Sequence, residues 1–230
     1  NTILKILDKL INQGLDIKKS NLILMIATGH RNIDIIKELV INYGVDVNLQ
    51  DHNGNSALHY LFRYMFNVIY GIRRVDSEDY PDFINKIQII IDFLMSNGAD
   101  INMLNNKKET CFYYLSSEIG FRIDINFIYY LLEIGANFNI RNKNGKSFLY
   151  KIIDNYPFIN KQGTVDIIRI VLELELYDYN IPEEYIKKLK KIQDEYSDDQ
   201  DIVNKIQTLL NKQGSGQQYL NKYHCQNPAS

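Results

Sequence analysis

Four histidines, two cysteines and scattered carboxylates are the side chains here with chemistry to offer, and their spacing assembles no catalytic set. His30, His52, His59 and His224 stand far apart, as do Cys111 and Cys225. Zinc needs Cys and His ligands in close pairs, and no such pair occurs. Two distant thiols do not make a disulfide framework, so the chain reads as a reduced protein. Cys111 lies in an apolar phrase with no histidine poised beside it, which points to a packed thiol and not a nucleophile. Glu183-Glu184 and Asp198-Asp199 read as a helix start and a loop. There is no phosphate-cradling Gly-rich loop, no dinucleotide turn and no Gly-x-Ser-x-Gly elbow. The expectation is a chain that is not an enzyme, with no catalytic residue, no metal and no cofactor.

The bulk composition agrees with that. The chain has 230 residues, of which 45% are hydrophobic, enough to bury a substantial core. Its formal charge of −2 argues against a sequence-independent grip on nucleic acid, which requires a basic surface. No apolar run reaches the length of about 18–20 residues that spans a bilayer, and no signal peptide is visible. The expected partner is therefore neither nucleic acid nor membrane, and the expected setting is a cytoplasmic monomer. Ile, Asn, Lys and Tyr dominate, which fits the codon supply of an AT-rich genome. The chain opens at Asn1 in what reads as the middle of a helix, as a fragment would.

What must position the remaining polar residues is a repeat, and repeats set the fold. One phrase runs from a helical apolar stretch into Gly, a small or apolar residue, Asp or Asn, an apolar residue and Asn. It appears at Gly44-Val-Asp-Val-Asn48, Gly98-Ala-Asp-Ile-Asn102 and Gly135-Ala-Asn-Phe-Asn139, with a weaker copy at Gly14-Leu-Asp-Ile17 and a degenerate one at 174–180. A second phrase follows each good copy: Asp51-His-Asn-Gly54-Asn-Ser-Ala-Leu-His59, Asn105 to Tyr113 with Lys108 where Gly is expected, and Asn142-Lys-Asn-Gly145-Lys-Ser-Phe-Leu-Tyr150. The four leading glycines are 30, 54 and 37 residues apart.

Each phrase has a physical reading. The Gly closing each second helix takes the left-handed conformation of a C-cap. Asp51 to Gly54 forms a side-chain-closed turn with Gly at positive φ. Ser56, Thr110 and Ser147 supply N-capping hydroxyls. The second helices are amphipathic at Ile33, Ile36, Leu39 and Val40; at Ile87, Ile90, Phe93 and Leu94; at Phe127, Tyr130, Leu131 and Ile134; and at Ile167, Ile170, Val171 and Leu174. One helix pair cannot cover such faces, so neighbours must stack. An insertion at about 66–83 reads as a lengthened first helix, Met65 to Tyr70, and a charged loop, Gly71 to Pro81. Beyond 180, Pro182-Glu183-Glu184 starts one helix (Ile186, Leu189, Ile192, Tyr196), and Ile202, Ile206, Leu209 and Leu210 mark another.

The paired phrases over residues 1–180 resemble the ankyrin repeat, which has a period of about 33 residues and a Thr-Pro-Leu-His box. Ser56-Ala57-Leu58-His59, Thr110-Cys111-Phe112-Tyr113 and Ser147-Phe148-Leu149-Tyr150 occupy that box, and Gly29-His30 matches the family's inter-helix turn. Pro is absent from every box. The resemblance implies an all-α solenoid of about four to five helix pairs over 1–180, with short hairpin tips and capping helices over 181–213. It implies structural roles for His30 and His59, and places Asn48, Asn102 and Asn139 where the family's asparagines can be β-hydroxylated. It implies a protein-interaction module that binds a short linear peptide of a partner on its concave face, in the manner of a host-directed viral or bacterial effector. The alternatives are a ubiquitin-ligase substrate adaptor and the targeting portion of a larger enzyme. Carried over by register, the peptide-binding residues are His52, Asn53 and Asn55; Asn106, Lys107 and Glu109; Lys143, Asn144 and Lys146 at the tips; and Arg63 and Tyr64, Ser117 and Glu118, Asp154 and Asn155 on the helices.

The tail differs from all that precedes it. Gly214-Ser215-Gly216 is a flexible linker by composition and reads as engineered. Residues 217–230 then read as a fused partner peptide with Tyr219, Leu220 and Tyr223 as anchors.

Overall fold

The computed structural model describes residues 5, 8–9, 11–14, 16–19, 21–70, 79–117, 125–155 and 181–211. The linker at 214–216, the tail with Tyr219, Leu220 and Tyr223, the helix expected around Ile167 and the residue Glu118 lie outside them, as does most of the charged loop.

Among the described residues there are eight α-helices and no strand. They are α1 (Asn21–Gly29), α2 (Ile33–Lys37), α3 (Ala57–Tyr70), α4 (Tyr80–Ser96), α5 (Ile125–Glu133), α6 (Phe148–Asn155), α7 (Glu183–Glu195) and α8 (Gln200–Asn211). The elements that follow the three boxes pack in a row with α1 at one end and α7 at the other: α1 on α3, α3 on a 3₁₀ segment (Cys111–Ser117), that segment on α6, and α6 on α7. None of the described helices is long and apolar enough to cross a membrane.

The apolar stripes read from sequence are the ones that disappear from solvent. Ile36, Leu39, Ile87, Ile90, Leu94, Phe127 and Leu131 are all at most 1% exposed, and Leu189, Ile192, Ile202 and Ile206 are fully buried. Val40, Phe93, Tyr130 and Ile134 sit at the edge of the same core. Phe112, Phe138 and Phe148 form an aromatic knot across two adjacent repeats, with ring centroids of Phe112–Phe138 and Phe138–Phe148 both 4.7 Å apart. Pro182 stands at the N-cap of α7, with Glu183 and Glu184 in its first turn.

Three local features depart from the sequence reading. The second box, Thr110 to Tyr113, does not start an α-helix; Cys111–Ser117 is a 3₁₀ helix, and its run of aromatics and serines is weak in helix propensity. The charged loop ends sooner than Pro81, because α4 begins at Tyr80 and takes Pro81 into its first turn, where a missing N–H is harmless. The third is that α2 passes into a π-helical turn, Glu38–Asn42, before reaching Gly44.

Candidate functional site

The hairpin tips are built by one device used three times. Asp51 Oδ1 accepts from the amides of Asn53 and Asn55, both at 2.8 Å. Asn105 Oδ1 does the same for Lys107 and Glu109, at 2.8 and 3.1 Å. Asn142 Oδ1 serves Asn144 and Lys146, at 2.9 and 3.1 Å. The fourth residue of each turn is left-handed: Gly54 at φ 76°, Gly145 at φ 73°, and Lys108 at φ 57°. Burial pushes the Asp51 carboxyl up. The Asn55 amide, the Tyr60 hydroxyl and the Asn53 amide outweigh that and hold it below its ordinary range.

The tips then lock to one another. The Asn106 amide donates to Asn53 O at 2.8 Å, and the Lys143 amide donates to Lys107 O at 3.0 Å. Asn106 Nδ2 adds a bond to His52 O at 2.9 Å. Gly54 is needed twice over, since a Cβ there would meet Asn106 N at 2.7 Å as well as forcing a side chain into positive φ. The result is a stiff row in which His52, Asn53, Asn106, Lys107, Lys143 and Asn144 all face solvent.

Behind the tips, the boxes tie neighbouring repeats together. His59 is 1% exposed. Its Nδ1 accepts from the Ser56 amide at 3.2 Å and lies 3.0 Å from Ser56 Oγ. That fixes the proton on Nε2, which is 3.1 Å from Glu109 O in the next repeat. Burial lowers the affinity of the ring for a second proton, against a smaller opposing effect of the Glu109 carbonyl. Tyr113, at the same place in the next box, takes a bond from Asn142 Nδ2 at 2.9 Å. The expected structural role of His59 is met. His30 does not share it; it is exposed at the inter-helix turn and makes no side-chain hydrogen bond among the described residues. The left-handed residue of that turn is Arg31, at φ 55°, whose guanidinium lies 4.8 Å from the Tyr64 ring and 5.0 Å from the Phe83 ring.

Asn48 and Asn102 are inter-repeat staples. Asn48 Nδ2 donates to Gly98 O at 2.7 Å while its Oδ1 accepts from Asp100 N at 2.9 Å. Asn102 repeats the pair with Gly135 O, at 2.9 Å, and Asn137 N, at 2.8 Å.

The residues expected to bind a peptide divide into two groups. Asn55 is 8% exposed and takes a bond from Asn105 Nδ2, so it faces the structure and not a partner. Tyr64 is half-buried and accepts a bond from Arg31 at 3.1 Å. Lys146 and Asp154 meet each other at 2.5 Å, and Asp154 also binds Lys188 of α7 at 2.5 Å and the Tyr185 hydroxyl at 3.1 Å. Burial pushes the Asp154 carboxyl up, and the two ammonium groups override it and hold it low. The exposed tip residues and Arg63, by contrast, keep their side chains outward. The backbone of Ser117 ends the 3₁₀ segment and that of Asn155 ends α6.

The structure adds a row that the sequence reading missed. Tyr60, Tyr114 and Lys151 each follow the box by one residue and are each half-buried. Tyr60 donates to Asp51 Oδ2 at 3.0 Å, and Tyr60 and Tyr114 both lie within electrostatic reach of Arg63. Lys151 Nζ sits 5.7 Å from the Tyr113 ring centroid. The signal was available, because the residue after each box is fixed in register by the box. The residues singled out instead lay one helical turn further on.

Cys111 is 1% exposed, with Sγ 3.5 Å from Ile101 O, and burial pushes its thiol well above the ordinary range. It is a packed side chain. Among the described residues no cluster of His, Cys, Asp and Glu could hold a metal ion.

Residues 20–52 match the family model for the ankyrin repeat, which supports the resemblance drawn from the paired phrases. No curated protein matches the chain. Ankyrin repeats are generally protein–protein interaction modules and not enzymes.

Proposed function

We propose that this chain is a protein-interaction module that holds an extended segment of a partner across its hairpin tips and over the Tyr60–Tyr114–Lys151 row. One observation carries the reading. The tips bond to each other through their backbones, Asn106 to Asn53 and Lys143 to Lys107, so their outward side chains stand on one tied backbone row beside the Tyr60–Tyr114–Lys151 row. A surface already ordered before binding loses little conformational entropy on association, which leaves more of the contact energy as affinity. Tyr and Arg are the side chains most often found as interface anchors, and Tyr60, Tyr114 and Arg63 lie together here.

The test is selection of a random displayed peptide library on the full chain. The selected peptides should lose affinity by about tenfold or more on Arg63→Ala or Tyr114→Ala, with far-UV circular dichroism unchanged. Ile89→Ala, at an exposed position on α4, should leave binding as it was. A failure to select any peptide, or peptides indifferent to both groove substitutions, sinks the reading.

A further inference from the structure

The tip row carries a charge pattern that points to the chemistry of its occupant, on the footing of the peptide-binding reading above. Lys107, Lys108 and Lys143 are exposed. The Lys143 amide donates to Lys107 O, which seats two like charges on adjacent tips. None of the three has a salt bridge among the described residues. The carboxylates near this row are largely committed elsewhere. Asp51 is held by backbone amides and Tyr60, and Asp154 is held between Lys146 and Lys188. Glu109 stands one residue beyond Lys108, on the side of Tyr113 and Tyr114. The chain as a whole carries −2, so a local excess of cations is not a by-product of a basic protein.

Lys108 adds a second and independent observation. Its φ of 57° places an L side chain where the two equivalent turns use glycine. A backbone held in that region is strained, and strain of this kind clusters where function requires a particular side chain. Here that side chain is a cation beside two others.

We propose that the partner segment is acidic, an extended peptide whose Asp, Glu or phosphorylated side chains lie over Lys107, Lys108 and Lys143. Nucleic acid is disfavoured by the same charge pattern: affinity for it grows with the number of phosphates neutralised, and three free lysines on an acidic protein are few. Residues 217–230 contain no Asp or Glu, so that segment is not the ligand this surface calls for.

The experiment is the library selection on the full chain, read for composition, followed by titration of the selected peptides against the combined variant Lys107→Gln, Lys108→Gln, Lys143→Gln. Enrichment in Asp and Glu, a loss of affinity of about tenfold or more in the variant and steep weakening with added salt are the results expected. Lys37→Gln, an exposed change on α2, should leave affinity unmoved. A phosphorylated copy of a selected peptide binding better than its Glu counterpart would assign the charge to phosphate within the same proposal. Peptides without acidic enrichment, or indifferent to the triple variant, overturn the proposal and leave the interaction reading standing. No selected peptide at all overturns both. An oligothymidylate that binds more tightly than any selected peptide overturns it in favour of single-stranded nucleic acid.

Discussion

A second proton on His59 would drive an N–H from Nδ1 against the Ser56 amide, which already points at that nitrogen. Burial and that clash both disfavour the cation, so the folded ring resists protonation that the unfolded chain accepts. The sign follows from counting protons. Below the ordinary His value, near pH 6.5, the unfolded state binds more protons than the folded one, so stability drops as pH falls through that point and is intact above it. Thermal melts between about pH 7.5 and 5.5, above the carboxylate range, should therefore show a falling midpoint that flattens in His59→Gln. An equal slope in both proteins would show that His59 does not report the pH. Lys108 gives the second residue-scale prediction. Lys108→Gly should relieve the left-handed strain at φ 57° and raise stability by about 0.5–1 kcal/mol, net of the greater freedom of unfolded glycine, as read by urea denaturation. Destabilisation would mean the turn is unstrained. Lys108 was legible as a misfit in the glycine pattern. Arg31 was not: it takes φ 55° in a turn where the neighbouring Gly29 offered the obvious left-handed residue.

Counting back from each capping glycine exposes an element-scale irregularity. The buried positions of α4 (Ile90, Ile91, Leu94) stand 8, 7 and 4 residues before Gly98, and those of α5 (Phe127, Ile128, Leu131) stand at the same distances before Gly135. In α2 and its π-helical turn the corresponding residues, Ile35, Ile36 and Leu39, stand 9, 8 and 5 before Gly44. One residue is extra. The closing hydrogen bond makes the same count: Ala99 N reaches Leu94 O and Ala136 N reaches Leu131 O, whereas Val45 N must reach Leu39 O. The π-helical turn Glu38–Asn42 absorbs the insertion, as such bulges do, and it leaves Ile41 63% exposed. Deleting Ile41 should thus restore a plain α-turn and leave the melting midpoint within about 3 °C of the parent or above it. Deleting Ile89 from α4, where no residue is extra, should rotate Phe83, Ile84 and Ile87 off the core and unfold that repeat. Circular dichroism melts decide it, and an Ile41 deletion as damaging as the Ile89 deletion would refute the register argument. Helix positions and core faces were readable from apolar spacing, because burial imposes the helical period directly. The π-turn and the 3₁₀ segment were not, because both are answers to small mismatches that spacing alone does not flag. At the candidate site the tips were readable from the turn phrases, while the bonds that tie Asn55 to Asn105 and Lys146 to Asp154 were not, because those partners come from other elements.

Across the whole molecule, stability resides in the joints between repeats as much as within them, since a single helix pair leaves its apolar face bare. Two kinds of joint coexist. Apolar packing supplies most of the favourable free energy, and polar staples set the spacing that lets it act. Asn48 and Asn102 are the purest staples, each bonding both a carbonyl and an amide of the following repeat. Tyr130 to Asp92 at 2.6 Å and Tyr43 to Asp8 at 2.5 Å repeat the strategy on the second helices, which accounts for part of a tyrosine content of 17. Because the two asparagines act at different joints, their removal should be nearly additive. Each alanine substitution removes two partly exposed hydrogen bonds and should lower stability by about 1–2 kcal/mol. The double variant, Asn48→Ala with Asn102→Ala, should also lose cooperativity: with its joints weakened, the array opens in segments and not in a single step. Urea unfolding followed in parallel by far-UV circular dichroism and tyrosine fluorescence separates the two effects. In the parent the two curves should superimpose. In the double variant they should part, with a reduced slope against urea. Superimposed curves with an undiminished midpoint would show that these amides merely accompany the packing, and that the apolar contacts alone keep the repeats in step.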